Sequence, residues 1–168
     1  MLSQICFFAS IAFSFVTWGI VAARYIWPAL RFRQAAEALR PLLTLHSFRF
    51  IGLAFPVPGV VSPDLPSAFA HSAAWGDIIA ATLALVSLLS LPRGAGIVLA
   101  WAFNIWGAAD LLNAFYLADH AGLLPGQLGA TYFIPTVLVP LLLITHGIAF
   151  RILLQRRNES VVRKRHPA

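Results

Sequence analysis

Apolar residues gather into five runs, separated from one another by prolines, glycines and arginines. Met1 to Ala23 is free of charge and rich in Phe, Ile and Val, and a bilayer crossing needs about 20 such residues. It predicts a first spanning helix over 2–23. No Lys or Arg precedes the run and no A-x-A-like site follows it, so it is expected to stay in the mature chain rather than be cleaved as a signal peptide. The second span is harder to place, because only the 14 residues Phe50 to Pro63 lie between Arg49 and Asp64, and they include Pro56, Pro58 and Gly59. A span over 41–61 is therefore expected to carry Arg49 inside it, to stop as a helix around Phe55 and to finish extended.

Spans three, four and five are predicted over 73–91, 96–117 and 131–154. Asp77 lies near the start of the third, which ends at the Pro92-Arg93-Gly94 turn. The fourth contains Asn104, Asp110 and Asn113, and the fifth contains Pro135 and Pro140 as expected kinks. The pattern predicts an all-α integral membrane protein, a bundle of five transmembrane helices, followed by a tail over 155–168 that is expected to be basic and disordered.

Composition supports the membrane class. The 168 residues are 60% hydrophobic and 11% charged, with a mean hydropathy of +0.81, where soluble chains are about 45–50% apolar and about 25% charged. An ordinary soluble domain is excluded. The lone cysteine, Cys6, excludes an internal disulfide and a CxxC redox pair, and is expected to be a buried small hydrophobe.

Charge gives the orientation. Arg24, Arg31, Arg33 and Arg40 follow span one, Arg93 follows span three, and Arg151, Arg156, Arg157, Arg163, Lys164 and Arg165 follow or close span five. Lys and Arg concentrate in cytoplasmic loops, so the N-terminus is expected outside and the C-terminus in the cytoplasm, in a multi-pass protein of the bacterial inner membrane. Trp27, Trp75, Tyr25 and Tyr132 fall near span ends, as interfacial aromatics do. The net charge of +6 does not point to nucleic acid, because the basic residues do not interleave with aromatics. The partners implied are the bilayer and anionic lipids at the basic tail.

Ionisable groups inside spans are expensive and mark function more often than other positions do. At a rise of about 1.5 Å per residue, His46 lies about 8 Å and Arg49 about 12 Å from the cytoplasmic face, with His146 and Asn104 at a similar depth. Asp77 and Asp110 lie about 6 and 10 Å from the outer face, with Asn113 and Tyr116 beyond Asp110. Helical spacing puts His46, Arg49, Phe50 and Leu53 on one face. An unpaired Arg49 is costly, so Arg49 and Asp110 are expected to interact.

Four readings of function follow. The first is binding or permeation of a small molecule, ion or proton at a polar site of His46, Arg49, Asp77, Asn104, Asp110, Asn113 and His146. Five spans without an inverted repeat would call for a homo-oligomer. The second is a b-type haem or quinone protein with His46 and His146 as axial ligands, Arg49 at a propionate and Gly147 leaving room for the ring. The third is an enzyme on a lipid or isoprenoid with Asp77 or Asp110 as acid or base, although HExxH, GxSxG and aspartate-rich motifs are absent from the sequence. The fourth is a structural or assembly subunit, with Ala80, Ala84 and Gly107-Ala108-Ala109 permitting close helix approach. His71, Asp119 and His120 lack close ligand spacing, and with tail His166 they are expected to hold no metal.

Overall fold

The computed structural model describes the backbone of residues 1–93 and 95–165 and the side chains up to Gln155. Among these residues six α-helices follow in order: α1 (Leu2–Val21), α2 (Trp27–Leu30), α3 (Ala35–Ser47), α4 (Ser67–Ser90), α5 (Ala95–His120) and α6 (Val139–Arg165). Among the described residues there is no strand, only an isolated bridge between Pro58 and Val61. The protein is an all-helical bundle, and four of its helical stretches are long and apolar enough to cross a membrane: Leu2–Leu30, Ser67–Arg93, Ala95–His120 and Ile134–Gln155. The fourth stretch continues as helix to Arg165, through the segment read as a disordered arm; His166 and the two residues after it lie outside the described residues.

The segment expected as span two has a different local form. It is the 13-residue α3, begun at Ala35, followed by a 3-10 helix over Phe48–Ala54. A 3-10 helix has three residues per turn, so positions three apart eclipse. Arg49, Gly52 and Phe55 therefore share the buried face, while Phe50 and Leu53, expected beside Arg49 at α-helical spacing, are 50% and 45% exposed.

Two prolines explain two other departures from α-geometry. Pro28 and Pro140 lack an N–H, and each ring clashes with the carbonyl four residues earlier, those of Arg24 and Thr136. The chain widens into π-helix at both places, over Ala22–Ile26 and Ile134–Leu138. Trp18 Nε1 donates to the Val137 carbonyl of the second π segment (3.1 Å), a partner of the kind a distorted membrane helix needs. That bond ties α1 to the start of α6.

Helix α4 packs along α5, and α3 with its 3-10 extension packs on α4. Ala80 and Ala84 of α4 are fully buried, which lets the helix axes approach; their packing is within the chain. No residue of α1 is buried, and Cys6, expected in the interior, is exposed on this helix. The position follows from α1 packing mainly against α6 and the segments leading into it, which leaves the rest of its surface uncovered.

The core has two apolar clusters. One contains Leu30, Leu39, Leu43, Ala84, Phe103 and Leu153; the other contains Phe55, Phe69, Leu111, Leu128, Ile134 and Leu142. Asp77 on α4, Asn104 and Asp110 on α5, Thr145 and His146 on α6, and His46 and Arg49 between Leu43 and Phe55 each fall between a member of one cluster and a member of the other. They form a polar layer inside an apolar bundle.

The second cluster is closed by two loops. Loop 55–66 docks on the 3-10 helix Pro125–Tyr132 through Ser62 N to Gln127 O (3.0 Å), Ala130 N to Val60 O (2.8 Å) and Gln127 Nε2 to Asp64 O (2.9 Å). Gly129, at φ 52°, is required here on two counts. The backbone is left-handed, and a Cβ would run into the Val60 carbonyl.

Candidate functional site

Arg49 stands at the centre of the polar layer and is 2% exposed. Its Nε donates to Asp77 Oδ1 (2.7 Å), its Nη2 to Asp110 Oδ2 (2.6 Å) and its Nη1 to the Gly107 carbonyl (3.0 Å). The expected contact with Asp110 is present, and Asp77 joins it. Two helices, α4 and α5, thus converge on one guanidinium carried by the 3-10 segment, and its planar fork suits several acceptors at once. Such an arrangement compensates the desolvation of the charge, which unpaired would cost several kcal/mol.

Glycines make the room. A Cβ at Gly52 would fall on the Asp77 carboxyl, and one at Gly76 on the Asp110 carboxyl. A Cβ at Gly107 would lie 2.7 Å from His146 Cε1 and 2.9 Å from Arg49 Nη1. Sequence reasoning noted Gly107 only for helix packing and missed Gly52 and Gly76. The available signal was a glycine inside an otherwise helical run, which costs about 1 kcal/mol relative to Ala and so tends to have a packing or functional reason.

The histidines form the other half of the layer. His146 Nδ1 lies 2.7 Å from Asn104 Oδ1, and Asn104 Nδ2 donates back to the His146 carbonyl (3.3 Å). Asn104 Oδ1 is therefore the acceptor, and the network assigns the proton of His146 to Nδ1. His46 Nε2 lies 3.0 Å from Thr145 Oγ1. The Thr145 hydroxyl donates to the carbonyl of Leu141 or Leu142, so it accepts from His46, whose proton is on Nε2. The network thus assigns one proton on each ring. Thr145, missed in the sequence, is what orients His46.

The remaining ring nitrogens, His46 Nδ1 and His146 Nε2, are buried without a hydrogen-bond partner among the described residues. The ring centroids are 4.2 Å apart and the planes tilted by 49°, with Phe103 against both. This geometry does not fit a haem with His46 and His146 as axial ligands. A bis-histidine haem puts the macrocycle between the two imidazoles, and here the rings are already in contact. Gly147 is exposed and faces open space on α6 rather than the two rings.

Other candidates fall away from the layer. Asn113 is exposed and makes no side-chain hydrogen bond among the described residues; it lies on the outward face of α5. His71 is exposed, and His120 is exposed with its Nδ1 on the Tyr116 carbonyl (3.0 Å). No group of three or more metal-binding side chains occurs among the described residues.

Beside the polar layer lies a cavity of about 440 Å³. Asp77 and Asp110 line it, while its walls include Phe7 and Phe8 of α1, Phe69 of α4, Phe115 of α5 and Leu128 of the 3-10 helix. The two carboxylates each keep about a tenth of their side-chain surface open, 11% for Asp77 and 12% for Asp110. The cavity reaches the ion-pair network from its acidic side.

No curated protein and no solved structure matches the chain. A family model matches residues 6–154, which takes in the greater part of each helix that shapes the cavity and the polar layer. The chain belongs to that family, described as a domain of unknown function (DUF8737), over residues 6–154.

Proposed function

We propose that the protein binds a small molecule within the bilayer, in the cavity that ends on Asp77 and Asp110. The cavity carries this reading: its volume of about 440 Å³ is in the range of about 300–1,000 Å³ for ligand pockets. Mostly apolar walls with a few convergent polar groups suit a ligand with an apolar body and one polar end. Charged groups inside spanning segments mark substrate and ion pathways, which favours binding or permeation over a purely structural role.

The topology we propose has five crossings. The fifth, besides the four long apolar stretches, is α3 with its 3-10 extension, whose combined rise is roughly 33 Å. The N-terminus lies outside and the C-terminus in the cytoplasm of a bacterial inner membrane, a reading supported by the collection of basic residues at the ends next to α3, between α4 and α5, and along α6. With Cys6 changed to Ser, a single cysteine at Ala121 should react with an impermeant thiol reagent in intact cells, and one at Gln34 only after lysis. The reverse pattern refutes the orientation.

Binding is tested by native mass spectrometry of protein released from nanodiscs. The wild-type protein should retain a small molecule that is missing from Ala114→Trp, a change that fills the cavity from α5. Equal occupancy of both proteins, with Ala114→Trp as stable as wild type, refutes the cavity as the site.

A further inference from the structure

We propose that the ligand of this cavity is an organic cation: an ammonium group carried on an apolar body. The proposal rests on the cavity being a binding site and adds the charge and shape of what it takes.

Every charged side chain lining the cavity is an acid. Asp77 and Asp110 stand at the polar end and Asp119 at the rim; among the described residues no Lys, Arg or His lines it, and Gln4 of α1 is the one polar, uncharged side chain with an amide. Arg49 does not line the cavity. Its Nε and Nη2 are bonded to the aspartates and its Nη1 to the Gly107 carbonyl. A ligand in the cavity therefore meets the carboxylates and not the guanidinium.

Charge accounting gives the sign. One guanidinium stands against two carboxylates, which leaves one negative charge over inside an apolar bundle. Each aspartate spends one oxygen on Arg49; Asp77 Oδ2 and Asp110 Oδ1 have no hydrogen-bond donor among the described residues. In a low-dielectric setting that surplus is met by a proton or by a bound cation. An ammonium brings up to three N–H donors together with the compensating charge. An alcohol brings one donor and no charge, and a carboxylate or phosphate is repelled.

The walls fit the same ligand. Phe7, Phe8, Phe55, Phe69 and Phe115 all line the cavity, and aromatic faces attract organic ammonium ions as well as apolar bodies. Acidic groups at one end and aromatic rings around the sides select for a hydrophobic amine. A free amine and an aminophospholipid headgroup both carry this group, and the shared chemistry is the ammonium itself.

The test uses three probes of matched body, phenylbutylammonium, phenylbutanol and phenylbutyrate, in equilibrium dialysis against nanodiscs of phosphatidylglycerol, with empty nanodiscs as background. The expected result is that wild type binds the ammonium at least about tenfold more tightly than the alcohol, as a charge-assisted hydrogen bond supplies. Binding of the butyrate should be weakest, Asp110→Asn should bring the ammonium down to the level of the alcohol, and Ala114→Trp should abolish binding. If Asp110→Asn fails to fold, Asp119→Asn at the exposed rim should lower ammonium affinity and leave the alcohol unchanged. Competition by phosphatidylethanolamine would assign the ammonium to a lipid headgroup, and its absence to a free amine; both support the proposal. Equal binding of alcohol and ammonium, lost in Ala114→Trp, overturns the cation and leaves the binding site standing. No binding of any probe above empty nanodiscs overturns both.

Discussion

Gly76 of α4 faces the carboxylate of Asp110 on α5 so closely that a Cβ on the glycine would occupy the place of the carboxyl group. The residue next to it, Asp77, is the other carboxylate on Arg49. One short step of sequence thus supplies both a ligand to the arginine and the space for its partner.

Gly76→Ala is expected to destabilise the fold by about 1–3 kcal/mol, the usual cost of forcing extra volume into a packed site. Gly147→Ala is its control. Gly147 is also inside a helix but faces open space, so alanine should stabilise by up to about 1 kcal/mol through helix propensity. Thermal unfolding in one detergent compares the two; a Gly76→Ala protein as stable as wild type rejects the close approach.

Removing Arg49 leaves two carboxylates, one buried and one largely buried, without their cation. Arg49→Leu should lose about 3–5 kcal/mol or fail to accumulate in the membrane. Adding Asp77→Asn and Asp110→Asn to Arg49→Leu should recover much of the loss, since the penalty comes from unpaired charge. If the triple variant is no more stable than the single one, the network is not what holds the segment Phe48–Ala54 on α4.

Lysine is expected to replace Arg49 poorly. It keeps the charge but not the fork that reaches Asp77, Asp110 and the Gly107 carbonyl together. Arg49→Lys should fall between wild type and Arg49→Leu in melting temperature. Equality with wild type would show that charge alone suffices.

The histidine network makes a spectroscopic prediction. Nitrogen NMR of labelled protein should find His146 protonated on Nδ1 and His46 on Nε2, the tautomers that Asn104 and Thr145 dictate. Thr145→Val should cost about 1–3 kcal/mol by leaving the His46 donor buried and unmet, and should perturb the His46 signals more than those of His146. The same tautomer found on both rings counts against this network.

The polar layer was legible in the sequence because ionisable residues are rare in apolar runs. His46, Arg49, Asp77, Asn104, Asp110 and His146 all belong to it, and the pairing of Arg49 with Asp110 followed from the cost of an unpaired buried charge. Asn113 was misread because a polar residue in a span carries no mark of which side of the helix it occupies. Phe50 and Leu53 were misread for a geometric reason: α-helical spacing was applied to a segment that winds as 3-10 helix. The cavity had no sequence signature at all. Its phenylalanines lie on four separate elements, so only the packing brings Phe7, Phe55, Phe69 and Phe115 around Asp77 and Asp110.

The π segment at Ile134–Leu138 sets a phase. A π turn is equivalent to one residue inserted into an α-helix, and each residue turns the helix by about 100°. Everything in α6 beyond Pro140 is therefore rotated by that angle relative to a continuous α-helix from the same start. Thr145 and His146 point at His46 and Asn104 only with that rotation in place. Pro140 thus acts as the angular register mark of the helix: a one-residue deletion in 134–138 would swing the histidine out of the layer while leaving every polar residue in the sequence.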